Sequence, residues 1–316
     1  MMQQAKLIYA VGGLRCETQG KKLSLSLGLD GSAILHYPGP LTQGWLVQAL
    51  DQLLVAAPQL TGIVLPHAEW HEEPQAKALF TLASSDYLAR EVFYQLPLWL
   101  MTKRNSASSK MQYNAECELW SPKRPARPVG EVYRRFDPQT QHTLSFRLPE
   151  VAQDVEQFTR WMNLARVDAF WKMSGPLDMQ AVYLQRQLDS SYCYPLLGCF
   201  DDQPFGYFEV YWAPEDRIGR HYRWQPFDRG LHMLVGEENW RGARYIRSWL
   251  RGLTHYLYLD EPRTHRVVAE PHVDNQQLFR HLPTAGYQTI KEFDFPHKRS
   301  RLVMNQRWNF FQEASV

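Results

Sequence analysis

The fold class that the sequence predicts is α+β for the second half of the chain, with an additional α/β lobe at the N-terminus. Three observations support this prediction. The 316 residues exceed the length that one hydrophobic core usually organises, so two domains are expected. Hydrophobic residues make up 44% of the chain, which is enough to build folded cores. The second half alternates strand-like and helix-like segments in an α+β order.

The charge balance excludes several classes of partner. The 35 basic and 33 acidic residues give a formal net charge of +2, which creates no overall field for nucleic acid or an anionic membrane. No apolar run approaches the length of a membrane span, and the segment from Met1 to Leu14 lacks the pattern of a signal peptide. We therefore expect a cytoplasmic protein that binds neither nucleic acid nor membranes.

The cysteines indicate neither a disulfide framework nor a metal site. They are few and scattered, which is typical of reduced thiols. Cys193 and Cys199 are the closest pair, but no second pair of Cys or His accompanies them at the spacing of a zinc site. We therefore expect no metal. The four cysteines are Cys16, Cys117, Cys193 and Cys199.

The N-terminal lobe is predicted from short strands and one helix. Leu7–Tyr9 and the alternating run Leu23–Leu27 have the pattern of half-buried strands. A helix follows, which Pro58 ends, and Gly62–Leu65 is again strand-like. The apolar positions of the helix are Leu46, Leu50, Leu53, Leu54 and Ala57.

A proline-rich segment suggests the domain boundary. Ser121–Gly130 contains three prolines and three basic residues, a composition typical of a stiff extended connector. We therefore assign residues 1–127 to the N-terminal lobe and residues 128–316 to the second domain. The residues of the lobe suggest no site of their own, so a supporting role is expected for it.

The second domain is predicted to begin with a strand pair, Glu131–Asp137 and Thr143–Arg147, and then a helix. A β-hairpin comes next, with strands at Tyr194–Phe200 and Phe205–Trp212 and a turn at Asp201–Pro204. The apolar face of the helix consists of Phe158, Trp161, Met162 and Ala165.

Strands and helices alternate in the remainder of the chain. Leu231–Val235 is a short apolar strand, and a long amphipathic helix follows it. Arg266–Ala269 is the next strand, a helix begins at about Asn275, and a final strand is expected near Phe293 and Phe295. The apolar positions of the long helix are Ile246, Trp249, Leu250, Leu253 and Leu257.

The connection between that strand and the long helix has the properties of an anion site. The first turn of a helix offers unpaired N–H groups and a partial positive charge, which suit a pyrophosphate. Gly242 allows close approach of the backbone, and Arg241 and Arg244 add charge. An ordinary strand-to-helix turn would show the same local pattern, so the site stays one of two interpretations on this basis alone.

Longer motifs decide between the two. The loop resembles the arginine-x-x-glycine-x-glycine/alanine loop of GNAT acetyltransferases, with Gly242 and Ala243 adjacent here. Five further runs are similar to the siderophore-biosynthesis acyltransferases of the GNAT class, most of all to those that acetylate N-hydroxylysine for aerobactin. These runs are Gly13–Glu17, Phe205–Trp212, Glu215–Gly219, Asp228–His232 and Phe293–Ser300.

The resemblance implies a GNAT acyl-CoA N-acyltransferase fold, and a degenerate GNAT-like domain is one interpretation of the N-terminal lobe. It also implies that acetyl-CoA acylates the hydroxylamine nitrogen of N-hydroxylysine, giving a hydroxamate whose hard oxygens suit ferric iron. No metal is needed for this transfer. Other enzymes of siderophore synthesis are the expected protein partners. The alternatives are another acyl-CoA or diamine acceptor, or a non-catalytic CoA-binding module.

The resemblance also implies the catalytic residues. His232 is expected to act as general base, because an imidazole titrates near working pH, although a solitary histidine on an apolar strand is often a core residue. Asp274 is expected to orient His232, with helix capping as the alternative. Leu282 stands where many GNAT enzymes have a tyrosine that protonates the thiolate.

Two further sets of residues complete the expected site. The residues expected to bind acetyl-CoA are Leu234, Val235, Gly236, Trp240, Arg241, Gly242, Ala243, Arg244 and Asn275. An amino-acid acceptor carries a carboxylate and an ammonium group, so its pocket needs basic and acidic side chains. The residues expected to bind the acceptor are Glu209, Tyr211, Asp216, Arg217, Asp228 and Lys298.

Overall fold

In its structure, a computed structural model, the chain folds into two compact units. The units comprise Met1–Leu98 with Phe311–Val316, and Trp99–Phe310. The structure describes residues 6–10, 13–18, 21–27, 32–36, 43–64, 79, 87–102 and 108–312. No helix within these ranges is both long enough and apolar enough to cross a bilayer. Of the predicted reduced cysteines, the described Cys117, Cys193 and Cys199 are free thiols, and Cys16 lies in a strand whose side chains are not described.

The first unit contains a six-stranded sheet in sequential order. Helix α1 (Gln43–Ala56) connects the fourth and fifth strands, which are parallel, and α2 (Arg90–Gln95) follows the sixth. The strands are β1 (Lys6–Ala10), β2 (Gly13–Thr18), β3 (Lys21–Leu27), β4 (Ser32–His36), β5 (Gly62–Val64) and β6 (Tyr87–Ala89). The predicted strands and helix of this lobe are confirmed, except for Leu65, which lies outside the described residues.

A buried arginine stabilises the end of α1. Its last carbonyl groups have no partner within the helix, as at every helix end. The Arg90 guanidinium donates to the carbonyl oxygens of Leu54 and Ala57 at 2.7 Å and of Leu60 at 2.8 Å. Arg90 thus connects α2 to the end of α1 and to the strand that follows it.

The second unit is built on an eight-stranded sheet in the order β15-β16-β14-β13-β12-β11-β10-β9. The pair β13–β14 is parallel, and every other pair in this sheet is antiparallel. The strands are β9 (Glu131–Asp137), β10 (His142–Arg147), β11 (Cys193–Phe200), β12 (Gln203–Trp212), β13 (Arg229–Val235), β14 (Arg266–Ala269), β15 (Tyr287–Phe295) and β16 (Lys298–Gln306). A separate hairpin consists of β7 (Met111–Asn114) and β8 (Leu119–Pro122).

Helices cover both faces of the sheet. Tyr207 on β12 packs with Phe158 and Leu184 on one face, whereas the adjacent Phe208 contacts Trp249 on the other. This alternation is the period of two that a strand imposes on its side chains. The helices are α3 (Val151–Met162), α4 (Ala165–Trp171), α5 (Leu177–Asp189), α6 (Ala243–Asp260), α7 (Gln276–His281) and α8 (Arg307–Gln312).

Most predicted elements of this unit are confirmed, with two local differences. The hairpin turn is only two residues long, because Asp201 and Asp202 have φ of 47° and 64°, which closes a tight turn between antiparallel strands. Ala165 does not extend α3 but begins α4. Asn163 separates the two helices by hydrogen bonding the carbonyl oxygens of Thr159 and Gly175, both at 2.8 Å.

The proline-rich segment lies inside the second unit, whose boundary falls between Leu98 and Trp99 and not at residues 127–128. Arg124 is the reason that this segment does not act as a free linker. Its guanidinium forms a bidentate ion pair with Glu215 at 2.6 and 2.8 Å and lies 4.2 Å from the ring centroid of Trp212. Both side chains of the ion pair are buried.

The parallel strands β13 and β14 diverge after a short paired region. Their register includes only Arg229 opposite Val267 and Gly230 opposite Val268. Among the described strands, none pairs with Leu231–Val235 on the side that faces β14. The divergence leaves a gap in the sheet, and the site described below lies at its start.

Candidate active site

The sheet register places three ionisable side chains side by side. Glu209 on β12 lies directly opposite His232 on β13. Glu270 follows β14 and is two residues beyond Val268, whose partner Gly230 is two residues before His232. Glu270 Oε1 lies 2.8 Å from His232 Nε2, and Glu209 Oε2 lies 2.8 Å from His232 Nδ1. The imidazole thus connects two carboxylates across the gap between β13 and β14.

Glu209 is held by groups from the interior. Tyr183 on α5 and Tyr207 on β12 donate their hydroxyl groups to Oε1 at 2.5 and 2.9 Å. Together with His232, these donors satisfy both oxygens of a carboxylate that is almost entirely buried. Glu209 therefore fixes the ring of His232 rather than facing an open pocket.

Glu270 is also buried, and two cations lie beside it. Tyr211 donates its hydroxyl to Oε2 at 2.9 Å, while Arg217 and Lys298 lie 3.6 and 3.8 Å from Oε1. Lys298 Nζ also donates to the backbone oxygen of Glu270 at 2.9 Å. The side chain of Arg217 is 47% exposed, so this side of the imidazole leads toward solvent.

A glycine makes room for Tyr211. A Cβ atom added to Gly230 would lie 2.0 Å from the Tyr211 ring, far inside van der Waals contact. The ring therefore lies flat across the β13 backbone, with its centroid 4.7 Å from that of His232. Gly230 is required for the contact between Tyr211 and Glu270.

The two carboxylates change the protonation of His232. Burial by itself lowers the pKa of this imidazole, but the charge of Glu270 and the hydrogen bonds to both carboxylates outweigh it and raise that pKa to about 10. The expectation that His232 titrates near working pH is therefore wrong for this structure. A pKa raised this far favours an imidazolium, which can donate to both carboxylates.

The pKa values of the surrounding groups follow from the same charges. Burial raises the pKa of Glu209 and Glu270, yet hydrogen bonding to His232 and its charge leave both values below their usual range. Burial and the charge of Glu270 raise the pKa of Asp216. Burial lowers the pKa of Lys298 despite the nearby Glu270. The site is therefore a tightly coupled cluster of charges.

Asp274 is not the partner of His232. Both ring nitrogens are occupied by Glu209 and Glu270, and the Asp274 side chain is 79% exposed, with its Oδ2 3.5 Å from Nδ1 of His272. Asn275, which the resemblance places near the pantetheine arm, caps α7 by accepting from the backbone N–H of Leu278 at 3.3 Å. The cap of this helix is therefore Asn275, and Asp274 neither orients His232 nor caps the helix.

Asp228 also lies outside the site. It is completely buried and bonded to Arg266 at 2.6 and 3.0 Å and to the hydroxyl of Tyr222 at 2.9 Å. These contacts leave it no role in binding an acceptor, so this prediction is wrong. The other predicted acceptor-binding residues surround His232 and Glu270, with Asp216 adjacent. They are Glu209, Tyr211, Asp216, Arg217 and Lys298.

The loop between β13 and α6 is braced from α3 and α4. Arg166 donates to the carbonyl oxygens of Val235 and Gly236, both at 2.6 Å. A Cβ atom on Gly236 would lie 2.2 Å from the Trp161 ring, so only glycine allows this packing. Leu234 is buried in the same core cluster. The bracing fixes the direction in which the loop approaches α6.

The start of α6 follows Gly242, and the two arginines beside it are already paired. Gly242 precedes Ala243 with φ of 109°, a conformation that side chains rarely adopt. Arg241 pairs with Glu238 at 2.8 Å, and Arg244 donates to the backbone oxygen of Thr140. Trp240 packs on Phe200, with 4.8 Å between ring centroids.

Glu270 and Tyr183 were missed by the sequence analysis. Glu270 could have been found from the register, because it follows the strand that pairs with β13 and precedes Pro271. Nothing in the helical pattern around Tyr183 distinguishes it from a core residue. No three His, Cys, Asp or Glu side chains within the described ranges are grouped to hold a metal ion.

The architecture and the sequence match known proteins. A family model described as an acetyltransferase (GNAT) domain matches residues 150–295, which include His232 and both of its glutamates. The N(6)-hydroxylysine O-acetyltransferase of Escherichia coli is 59% identical over 315 residues, covering 100% of this chain and 100% of that protein. This similarity extends over both units.

Two more distant matches cover about three fifths of the chain. An N(5)-hydroxyornithine:cis-anhydromevalonyl coenzyme A-N(5)-transacylase of Beauveria bassiana is 39% identical over 195 residues, which are 60% of this chain and 43% of that protein. The solved structure of an uncharacterized protein from Bacillus halodurans has a TM-score of 0.56 and 28% identity, covering 59% of this chain and 95% of that one.

Proposed function

The chain belongs to the GNAT family of acetyltransferases, among the N(6)-hydroxylysine acetyltransferases, and from this premise we propose the reaction that its site performs. The enzyme transfers the acetyl group of acetyl-CoA to the hydroxylamine nitrogen of N6-hydroxylysine. The products are free CoA and N6-acetyl-N6-hydroxylysine, a hydroxamate for siderophore synthesis. Relatives that act on hydroxyornithine support a hydroxylated diamino acid as the acceptor class.

The observation that carries this proposal is the imidazole of His232 between Glu209 and Glu270 at the gap in the sheet. Acyl transfer needs groups that exchange protons beside the reacting carbonyl, in a site that excludes water. The three side chains provide such groups in a buried setting. Arg217 and Lys298 lie on their solvent side, where an acceptor would enter.

The donor side of the proposal rests on the gap and the braced loop. Backbone groups of Leu231–Val235 that have no strand partner toward β14 can bind an extended amide-containing chain such as pantetheine. The N–H groups at the start of α6 suit the pyrophosphate. We assign this role to the predicted CoA-binding residues of the loop, among which Gly236 packs too closely on Trp161 for a side chain and Gly242 has a positive φ that favours glycine.

Nitrogen is the proposed acetyl acceptor, although the name of the E. coli relative assigns the transfer to oxygen. When the nitrogen of a hydroxylamine is neutral rather than protonated to a cation, it is a stronger nucleophile than the oxygen. Acylation there gives a hydroxamate with two hard oxygen ligands for ferric iron, whereas acylation on oxygen gives no such chelator. The product itself therefore distinguishes the two reactions.

Release of the CoA thiol tests the proposal. Purified protein with acetyl-CoA should release thiol when N6-hydroxylysine is added, and far more slowly with lysine. The product should form a coloured ferric complex, and NMR should place the acetyl group on nitrogen. Thiol release that does not depend on any hydroxylamine would exclude this function. Replacing acetyl-CoA with succinyl-CoA or longer acyl-CoA esters tests the donor in the same assay.

A further inference from the structure

The hydrogen bonds of His232 define its proton content. Ionised carboxylates accept hydrogen bonds and cannot donate them, and a neutral imidazole has a single N–H group. Each ring nitrogen of His232 lies 2.8 Å from a carboxylate oxygen, so both contacts are satisfied only when both nitrogens carry hydrogen. The geometry is that of an imidazolium between two carboxylates.

The charges facing His232 favour the same state. Arg217 and Lys298 are the two other cations beside Glu270, so a protonated His232 makes the positive charges equal in number to the three carboxylates of the cluster. The hydroxyl groups of the tyrosines donate to the carboxylates and not to the ring. The groups that face this cluster are Cys193 on β11, Tyr207, Glu209 and Tyr211 on β12, Asp216 and Arg217 at the start of the 3-10 helix Arg217–His221, Tyr183 on α5, Glu270 after β14, His297 between β15 and β16, and Lys298 on β16.

We propose that His232 is the acid of the reaction and Glu270 its base: Glu270 accepts the proton from the hydroxylamine nitrogen, and His232 protonates the departing sulfur of CoA. This inference rests on the proposed function and assigns the proton transfers within it. It supplies the thiolate acid that Leu282 cannot, since Leu282 is a buried hydrocarbon where many GNAT enzymes have a tyrosine.

The step is balanced within the site. The nitrogen–carbon bond forms, the carbon–sulfur bond breaks, and the electron pair of that bond leaves with sulfur. The nitrogen proton passes to the Glu270 carboxylate, and the Nε2 proton of His232 passes to sulfur. Glu270 Oε1 then returns its proton to Nε2, which is 2.8 Å away, so the cluster regains its initial charge.

This division of roles explains why a hydroxylamine is preferred to an amine. The side-chain amine of lysine has a pKa of about 10.4 and is protonated at neutral pH. A strongly paired carboxylate such as Glu270 is too weak a base to deprotonate an ammonium group before attack. The oxygen of a hydroxylamine withdraws electron density and leaves its nitrogen unprotonated at neutral pH. After attack, that nitrogen is acidic enough to transfer its proton to Glu270.

The protonation state can be measured without turnover. We expect 15N NMR of histidine-labelled protein to show His232, identified by its loss in His232→Asn, as an imidazolium from about pH 6.5 to about pH 9. A ring that becomes neutral near the ordinary pKa of about 6.5 would overturn the proposal. The pH titration itself uses wild-type protein, and the variant serves only to assign the signal of His232.

Rates provide the second test. Glu270→Gln should lower kcat with N6-hydroxylysine by about 100-fold or more while acetyl-CoA still binds. The matched control is Glu292→Gln, which removes an exposed carboxylate on β15 that pairs with Arg299 and Arg301. A kcat within twofold of wild type in Glu270→Gln would overturn the role of Glu270. Absence of turnover with any hydroxylamine in wild-type protein would instead contradict the proposed function, whatever the NMR result.

Discussion

Glu209 and His232 lie directly opposite each other on antiparallel strands, with 2.8 Å between Oε2 and Nδ1. The register of β12 and β13 therefore determines the position of the imidazole independently of the loops. Two tyrosine hydroxyl groups hold the other oxygen of Glu209. The candidate site is thus built on two paired strands of the sheet, which fix the position of the ring between the two carboxylates.

Replacing His232 should lower kcat without weakening the binding of acetyl-CoA. In His232→Asn, the ring that links the two carboxylates is lost, and we expect kcat to fall by about 100-fold or more with little change in the affinity for acetyl-CoA. Thiol release and calorimetry measure the two quantities. The matched variant Asp274→Asn should stay within about twofold of wild type, because Asp274 does not contact His232. A large loss in Asp274→Asn would contradict this description of the site.

Removing the hydroxyl group of Tyr183 should leave the Glu209 carboxylate with one hydrogen bond fewer. Tyr183→Phe deletes a hydrogen bond to a buried carboxylate, which typically contributes about 1.5–3 kcal/mol. We expect the free energy of unfolding to fall by an amount in that range and kcat to decrease as well. Denaturant titration and steady-state rates measure both effects. Tyr113→Phe serves as the control, since Tyr113 is exposed on β7, and comparable losses in the two variants would be unexpected.

Arg217 should distinguish acceptors by their carboxylate. Its guanidinium is half-exposed and lies beyond hydrogen-bonding distance of Glu270, so it can bind the α-carboxylate of the acceptor. Arg217→Gln should raise the KM for N6-hydroxylysine about tenfold or more, and should affect N-hydroxycadaverine, which lacks the carboxylate, much less. Arg220→Gln, an exposed neighbour in the same 3-10 helix, is the control. Equal losses with both acceptors would exclude recognition of the carboxylate by Arg217.

Replacing Arg241 should change the KM for acetyl-CoA and not the KM for N6-hydroxylysine. Its side chain is exposed near the start of α6 and pairs with Glu238, so it can exchange that partner for a phosphate. Arg241→Gln should raise the KM for acetyl-CoA about three- to tenfold, with a smaller effect at high salt, because salt screens exposed charges. Arg299→Gln, which removes a paired arginine from β16, is the comparison. A higher KM for N6-hydroxylysine alone would contradict this assignment.

The stability of the protein should depend on the proton of His232. The folded-state pKa is raised to about 10 from an ordinary 6.5, so the stabilisation is complete below pH 6.5 and is lost as pH rises toward 10. Over this window, the difference in unfolding free energy between wild type and His232→Gln should shrink by about 1.4 kcal/mol per pH unit for one proton. Urea titrations at several pH values measure it. A difference that grows with pH would contradict the raised pKa.

The regular elements of the second unit were predictable because their patterns are local. The hairpin of β11 and β12 and the amphipathic helix α6 follow from apolar periodicity, and both are observed at nearly the expected residues. The domain boundary was not predictable in this way. The proline content of a segment indicates a stiff backbone but does not show whether the segment is buried against a domain. The contacts of Arg124 with Glu215 and Trp212 show how this segment is held in the second unit.

The candidate site, like the domain boundary, could be predicted only in part from local sequence patterns. His232 stood out as an imidazole beside an anion-ready loop, but its partners lie 23 and 38 residues away along the chain. Strand register brings them together, and register depends on the whole sheet. Asp274 was chosen for its place in a motif, although its side chain faces solvent. That both ring nitrogens of His232 contact a carboxylate could not be inferred from sequence.

The buried pair of Arg124 and Glu215 determines where the chain could be shortened. A version beginning at residue 128 would lack the guanidinium and leave Glu215 as an uncompensated charge in the interior, at a cost of about 3–5 kcal/mol. Glu215 directly precedes Asp216 and Arg217, so the damage would occur at the acceptor side of the site. A stand-alone version of the second unit would therefore have to begin at or before Trp99.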